Sequence, residues 1–156
     1  MGKQLGKQVV ATNRKARHEY HLDQTLEAGL VLSGSEVKAL RAGMASLADG
    51  WVSFEAGEAW LEGVHIPEYS QGGWTNHAPR RKRKLLLHKD QVRKWAAKTG
   101  EAGITAIPLQ LYFRDGRAKV EIALARGKRE WDKRQALRQR QDNLEAQRAI
   151  RSRTYR

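Results

Sequence analysis

A chain of 156 residues in which 40% are hydrophobic has room for one domain with a modest core. Lys and Arg number 30 against 17 Asp and Glu, and the net charge of +13 attracts polyanions, of which nucleic acid is the commonest. The absence of cysteine excludes thiol catalysis, disulfides and Cys-based zinc sites, and it fits a cytoplasmic protein. No apolar run approaches the ~20 residues of a membrane span, and no signal peptide is visible.

The first third of the chain predicts a leader, a strand and a short helix. Residues 1–12 lack periodicity and indicate a flexible leader. Polar and apolar residues alternate over 13–32, which predicts one long half-buried strand. The period changes over 33–43, where Ser33 and Glu36 have the spacing of a helix capping box.

Two turn signals predict β-hairpins. Ala56-Gly57 predicts a hairpin over 51–66, with Phe54 opposite Ala59 and Val52 opposite Leu61. Asp115-Gly116 is the stronger signal and predicts a hairpin over 104–125. Pairing outward from this second turn places these apolar residues on one face: Phe113, Leu111, Leu109, Ile107, Ala118, Val120, Ile122 and Leu124.

The segment between the hairpins contains a loop over 67–84, a buried apolar run over 85–87 and a helix over 88–100 with Trp95 in the core. The whole chain therefore reads as mainly β with short helices. About six antiparallel strands, each with one apolar face, favour a small closed barrel over an open sheet with bare edges.

The sequence offers little support for catalysis. His18 and His21 have H-x-x-H spacing, but in a strand that spacing directs the two rings to opposite faces. No phosphate-binding loop, nucleophile motif or dinucleotide fingerprint occurs, and no pair of carboxylates marks acid–base work. We therefore predict no enzyme, no metal site and no cofactor.

Three basic clusters point to RNA. They have Tyr20, Trp74 and Trp131 nearby, and cations with interleaved aromatics bind RNA by phosphate pairing and base stacking. One such cluster alone is equally well a solvated face, but three in so basic a chain favour nucleic acid. The clusters are Asn13, Arg14, Lys15, Arg17 and His18; Arg80, Arg81, Lys82, Arg83 and Lys84; and the basic tail, residues 127–156.

Several segments together resemble the SmpB family of SsrA-binding proteins, in register from about residue 9 to about residue 140. The resemblance implies an OB-like barrel over 13–126 and a monomeric adaptor that is not an enzyme. It also implies two partners: the tRNA-like part of transfer-messenger RNA, and bacterial ribosomes stalled on mRNA without a stop codon. The matching segments are "NRKARHEY", "EAGLVLSGSEVKALRAG", "RKLLLHK", "LQLYFRDGRAKVEIALARGK" and "DKR".

The resemblance also implies individual site residues. Asn13, Glu27 and Leu86 match family positions tied to transfer-messenger RNA binding. Glu27 falls on the polar side of its predicted strand, where it can contact RNA or hold a basic side chain in place. Asn13 and Glu27 are both expected at solvent-facing positions, whereas Leu86 is expected to be a core or platform residue.

The basic tail is expected to be disordered in the free chain, because it has no continuous apolar stripe with which to stabilise a helix. Family resemblance implies that it becomes helical in the empty mRNA channel of the small ribosomal subunit, near the decoding centre. Asp142 departs from relatives that carry an aromatic residue there. The predicted tail contacts are Lys128, Trp131, Asp132, Lys133, Arg134, Arg138, Arg140 and Ile150.

Two other classes of protein fit the same charge. One is a structural ribosomal component with a similar small barrel, bound permanently to ribosomal RNA. The other is a basic RNA-processing enzyme with an unrecognised site. The first would be present in washed ribosomes in equimolar amount, and the second would show hydrolysis that requires a metal.

Overall fold

The structure, a computed structural model, describes residues 6–70 and 76–154, with side chains given up to 127 and again over 137–150. Four helices lie in this part of the chain: α1 (Arg14–Glu19), α2 (Gly34–Arg41), α3 (Lys89–Thr99) and α4 (Lys128–Thr154). The strands are β1 (Lys7–Thr12), β2 (Tyr20–Leu30), β3 (Trp51–Glu55), β4 (Glu58–Glu62), β5 (Arg83–Leu86), β6 (Ile104–Arg114) and β7 (Arg117–Gly127).

Six antiparallel strands close into a ring in the order β6, β3, β4, β5, β2, β7 and back to β6. The mainly β fold predicted from the sequence is thereby confirmed. The seventh strand, β1, pairs with the part of β6 that lies beyond the β3 pairing. Among the described helices, none is long and apolar enough to cross a membrane.

Both predicted hairpins form. In β3–β4, Phe54 lies opposite Ala59 and Val52 opposite Leu61, as the turn at Ala56-Gly57 requires. Ala56 has φ of 51° and Gly57 has φ of 76°, and two successive positive φ angles are those of a type I′ turn. The prediction of this register is confirmed.

The β6–β7 hairpin follows its predicted register only near the turn. A register shift between Pro108 and Gln110 moves the rest of β6 by one residue, so that Pro108 faces Ile122. Ile107 and Leu109 consequently pack in a second cluster and not with Ile122 and Leu124. The single-face prediction was wrong beyond this point, because one extra residue in a strand reverses the faces of all that follow.

The N-terminal predictions need two corrections. Residues 7–12 of the expected leader form β1, which is held by backbone pairing with β6 more than by burial of its own side chains; residues 1–5 lie outside the described residues. The expected strand over 13–32 is a helix over Arg14–Glu19 followed by β2. In α1 only Ala16 is buried, so the helix is too short to show a helical apolar period.

The core has two parts. The main cluster fills the ring and includes the buried side chains of Leu40, Leu61 and Leu111, with Trp95 of α3 closing it as predicted. A smaller cluster lies beneath α1, where Ala16 packs with Ile107, Leu109, Ala123 and Ala125. The register shift in β6 is what supplies side chains to both clusters, and the smaller cluster fixes α1 on the outside of the ring.

The last element, α4, is one continuous helix of 27 residues. That the tail is disordered in the free chain and becomes helical when bound stays a prediction. Residues 128–154 contain neither Gly nor Pro and are rich in Arg, Gln, Ala, Leu and Glu, the best helix formers. Gln141 also donates to Glu145 one turn later. The side chains over 137–150 are all exposed, so none of them is part of the core.

Candidate nucleic-acid interface

One open groove runs along the outside of the ring, where β2, β5 and β7 meet the start of α3. It has a volume of ≈ 530 Å³, and we call it the outer groove. Glu27, Lys84, Leu86 and Lys119 are among the residues that line it. The groove brings together two of the predicted site residues, Glu27 and Leu86, which are far apart in sequence.

Leu86 is a surface residue and not a core residue, since 54% of it is exposed. It lies against Gly29 of the paired strand, where an added Cβ would come within 3.1 Å of the Leu86 Cβ. Gly29 therefore allows Leu86 to lie flat on the sheet. Such an uncovered aliphatic side chain in a groove rimmed by lysines is suited to contact a ribose or base face, which corresponds to the predicted platform role.

Glu27 holds a basic side chain, one of its two predicted roles. Its Oε2 accepts a 2.8 Å hydrogen bond from Arg114 Nε and a second bond from the Tyr112 hydroxyl. The bond from Tyr112 holds the pKa of Glu27 below its ordinary value. Burial opposes this shift, and the bond from Arg114 lowers the pKa further. In return, burial and the bond to Glu27 raise the pKa of Tyr112 to about 12.

The cations of α1 are exposed, and none of them forms an ion pair with a described side chain. Arg14, Lys15, Arg17 and His18 all face away from the small cluster that buries Ala16. No ion pair among the described side chains involves Arg14, Lys15 or Arg17. These charges are therefore available to phosphates without first breaking a protein contact.

Asn13 does not face solvent, and this part of the site prediction was wrong. It is 8% exposed, and its Nδ2 donates to the carbonyls of Pro108 at 2.9 Å and Leu47 at 3.4 Å. Its backbone N–H also donates to Leu109 O at 2.7 Å. Asn13 thus connects the start of α1 to the shifted part of β6 and to the loop before β3. Through these bonds it fixes where the cations of α1 lie.

Replacing Asn13 by Ala is expected to lower the free energy of unfolding by about 1–3 kcal/mol, because the buried carbonyls of Pro108 and Leu47 lose the bonds from its amide, although Leu47 keeps the bond from the Gly50 N–H. Urea unfolding measures this loss. Arg14→Ala on the adjacent exposed position should change stability by no more than ~0.5 kcal/mol. Equal stability of the Asn13 and Arg14 variants would show that the buried amide contributes nothing.

The run of five cations over 80–84 is not a uniform basic patch. Arg83 is fully buried, with its guanidinium bonded to the Glu36 carboxylate and to the carbonyls of Val64 at 2.9 Å and Pro79 at 3.0 Å. A phosphate cannot reach it, so its inclusion among the RNA contacts was wrong. In β5 the side chains alternate, and Arg83 shares the inward face with Leu85.

The other four members of the run are ion-paired. Arg81 makes a two-pronged contact with Glu36, with its terminal nitrogen at 2.6 Å. Arg80, Lys82 and Lys84 pair with Asp49, Glu55 and Glu58 at 3.7, 3.0 and 3.2 Å, and all three remain partly exposed. Only Lys84 of this run lines the outer groove. These surface pairs are weak, so Arg80, Lys82 and Lys84 can exchange partners with RNA.

The charged form of Glu36 stabilises the fold, which makes stability depend on pH. Burial raises the pKa of Glu36, but bonds from Arg81, the Ser33 N–H and Arg83 outweigh it, so the pKa lies below the ordinary 4.5. A depressed carboxyl pKa gives stability that is present above the unfolded-state value and lost as pH falls through the folded-state value. We expect the urea concentration at the unfolding midpoint to decrease as the pH is lowered below about 4.5, and to decrease less steeply for Glu36→Gln. An equal acid dependence in both proteins would contradict this.

The predicted tail contacts all belong to α4. Lys128, Trp131, Asp132, Lys133 and Arg134 lie in α4 by their backbone, but their side chains lie outside the described residues, as does Trp74. Arg138, Arg140 and Ile150 are exposed on the same helix. Leu137 and Leu144 are also exposed, so α4 presents both cations and uncovered aliphatic side chains.

The sequence analysis did not select Lys7, Tyr112, Arg114 or Lys119 as candidate site residues, although the structure places them near Glu27. Lys7 was assigned to the leader, and the other three were seen only as the polar side of a hairpin. The signal was present in the alternation of β6, which places Tyr112 and Arg114 on the outer face. His18 and His21 lie in α1 and β2, and no group of described His, Asp or Glu side chains could hold a metal ion.

Comparison with known proteins identifies the family. The model of the family described as SmpB protein matches residues 10–152. An SsrA-binding protein of Leifsonia xyli is 64% identical over 155 residues, which is 99% of this chain and 98% of that protein. An SsrA-binding protein of Streptomyces coelicolor is 63% identical over 150 residues, 96% of this chain and 94% of that protein.

A solved structure described as "tmRNA-SmpB: a journey to the center of the bacterial ribosome" is also similar. It has a TM-score of 0.66 and 48% identity, with 76% of this chain and 83% of that chain covered. The family match extends from β1 to the end of α4, and so includes the groove, α1 and the tail. The chain therefore belongs to the SmpB family.

Proposed function

We propose that this chain binds the tRNA-like part of transfer-messenger RNA and delivers it to stalled bacterial ribosomes, where the incomplete peptide is tagged. The observation that carries the proposal is the 64% identity over 99% of the chain to a protein named SsrA-binding protein. The similar structure described with tmRNA and the bacterial ribosome supports the same partners. The role is that of an adaptor without catalysis or cofactor, acting as a monomer in the cytoplasm.

The geometry supports different binding partners for the ring and for the tail. The outer groove and the exposed cations of α1 supply the surface for the tRNA-like RNA. The tail, as helix α4 with cations and aliphatic side chains exposed, occupies the mRNA channel, with Trp131, Lys133 and Arg134 near the decoding centre. For Asp132 we propose one of two roles, to orient Lys133 or to cap the helix.

A binding measurement tests the first half of this proposal. At fixed salt, the chain should bind the isolated tRNA-like RNA more tightly than an unrelated RNA hairpin of equal length. Removal of 127–156 should leave this preference in place while lowering affinity for both RNAs, because ten cations are removed with it. Equal affinity for the two RNAs would overturn the proposal.

A permanent ribosomal component would have the same charge but a different distribution in cells. Ribosomes washed in high salt should therefore contain much less than one copy of this chain each, unless translation is stalled. An equimolar amount in washed ribosomes from growing cells would favour the structural role instead.

A further inference from the structure

We propose that Lys7, Tyr112 and Arg114 form a binding site for a phosphate of the RNA backbone beside the outer groove, and that Glu27 positions this site without touching the RNA. The inference rests on the proposed function, since it names how part of that interface holds its RNA. Its side chains come from three strands, β1, β6 and β2, and β7 lies between β6 and β2.

The strand register brings the residues together. On one side of β6, Arg114 lies opposite Lys7 and Tyr112 lies opposite Val9 of β1. On the other side, Tyr112 lies opposite Lys119 of β7, which in turn lies opposite Gly29 of β2. Leu86 covers Gly29, which lies two residues after Glu27 on the same strand face, so Glu27 is next to the Leu86 side chain of the outer groove.

Tyr112 is an outward-facing aromatic residue that charged groups cover. The Lys7 Nζ lies 4.5 Å from the centre of its ring and the Arg114 Cζ lies 5.5 Å from it. Its hydroxyl donates to Glu27, and the residue is only 3% exposed. Tyr112 thus holds two cations over one ring and a carboxylate at its tip, which fixes three charged side chains against a rigid strand.

Arg114 is anchored through its Nε, which donates to Glu27. The Tyr112 hydroxyl interacts with the same guanidinium, and Glu27 is the one ion-pair partner of Arg114 among the described side chains. The Arg114 side chain is 45% exposed. A guanidinium that is fixed at Nε keeps a pair of terminal N–H donors whose spacing matches two phosphate oxygens.

The charges leave this site positive. Glu27 compensates Arg114, whereas Lys7 and Lys119 have no ion-pair partner among the described side chains. Glu121 lies opposite Glu27 on β7, and Asp115 accepts a bond from the Gly6 N–H. Together with the exposed Arg117, the cations outnumber the carboxylates here, so an anion is the expected occupant.

Glu27 in this arrangement is a positioning residue. A carboxylate that already accepts bonds from Tyr112 and Arg114 would have to give up one of them, or use its remaining lone pairs, to accept from an RNA hydroxyl. A phosphate, by contrast, is repelled by Glu27 and attracted by the guanidinium that Glu27 fixes. The effect of Glu27 on RNA binding is therefore expected to pass through Arg114.

The test measures the dissociation constant of the tRNA-like RNA for the full chain and for Arg114→Gln and Lys7→Gln. We expect Arg114→Gln to weaken binding by about 10–100-fold, the effect of losing hydrogen bonds to a charged group. The slope of log K against log salt should fall by ~0.7–0.9 for each phosphate that the variant no longer neutralises. Arg93→Gln and Lys94→Gln, on the exposed face of α3, are the charge-matched controls and should show changes of at most a few fold.

A double-variant cycle tests the positioning role. Glu27→Gln should weaken binding on its own but add nothing to Arg114→Gln, because both changes disable the same guanidinium–phosphate bond. Additive losses would overturn the positioning role and assign Glu27 a contact of its own. Arg114→Gln with the affinity and salt slope of Arg93→Gln would overturn the phosphate site, whereas a wild-type chain without preference for the tRNA-like RNA would overturn the proposed function itself.

Discussion

Replacing Arg83 by Ala is expected to lower the free energy of unfolding by about 3–5 kcal/mol, the cost of leaving a buried charge without its partner. Arg83 and Glu36 are both fully buried, and the Arg83 guanidinium also satisfies the carbonyls of Val64 and Pro79. The variant leaves Glu36 with Arg81 as its one cationic partner, beside the Ser33 N–H, and removes the side-chain donor of the Val64 and Pro79 carbonyls, of which Pro79 keeps the bond from the Ile66 N–H. Urea unfolding at neutral pH measures the effect.

Lys82→Ala, one residue earlier, is the matched control. Its pair with Glu55 is exposed, so its loss should cost no more than ~1 kcal/mol. A double variant, Glu36→Gln with Arg83→Met, should lose less stability than the sum of the two single changes, because it removes both charges at once. If Arg83→Ala instead kept its stability and lost RNA affinity, Arg83 would be an RNA contact and its buried position would be wrong.

Breaking α4 in its middle is expected to abolish peptide tagging on stalled ribosomes while leaving binding to the tRNA-like RNA unchanged. Gln141→Pro removes a backbone donor and clashes with the preceding turn, at a cost of ~3 kcal/mol or more to the helix, and it changes no charge. The physical reason for the split effect is that the side chains over 137–150 are all exposed, so breaking the helix there uncovers no core of the ring proposed to bind the RNA.

Gln141→Ala is the control for that experiment. It removes the bond from Gln141 to Glu145 but keeps the helix, so tagging should persist. A version with residues 131–150 shuffled at constant composition extends the test from helix to residue order, and we expect it to lose tagging as well. If the Pro variant or the shuffled tail still supported tagging, only the positive charge of the tail would matter.

Local signals in the sequence were sufficient for the hairpins and the helices that carry caps. Ala56-Gly57 and Asp115-Gly116 fix the register of their strands over the first few pairs, since the twist of such a turn admits one alignment. Ser33 and Glu36 likewise mark the start of α2, where the Ser33 N–H donates to the Glu36 carboxylate. Each of these contacts spans few residues.

The features that were missed depend on distant partners. Arg83 is buried because Glu36, far away in sequence, lies beneath it, and a run of cations gives no sign of that. Asn13 is buried because Pro108 and Leu47 present carbonyls to it. Pro108 within a strand did hint at an irregularity, because proline is confined to edges and bulges, but its consequence for Ile107 and Leu109 required the pairing itself.

The closed ring has a consequence for how the chain behaves at high concentration. Sheets aggregate through strand edges, and the ring reduces them because each of its six strands pairs with a neighbour on both sides over at least part of its length. An edge remains on β1, which is six residues long, carries Lys7 and has a bulge between Val9 and Ala11. Such an edge is a poor template for another chain, so dense solutions of this protein should resist fibre formation even though Val9 is exposed.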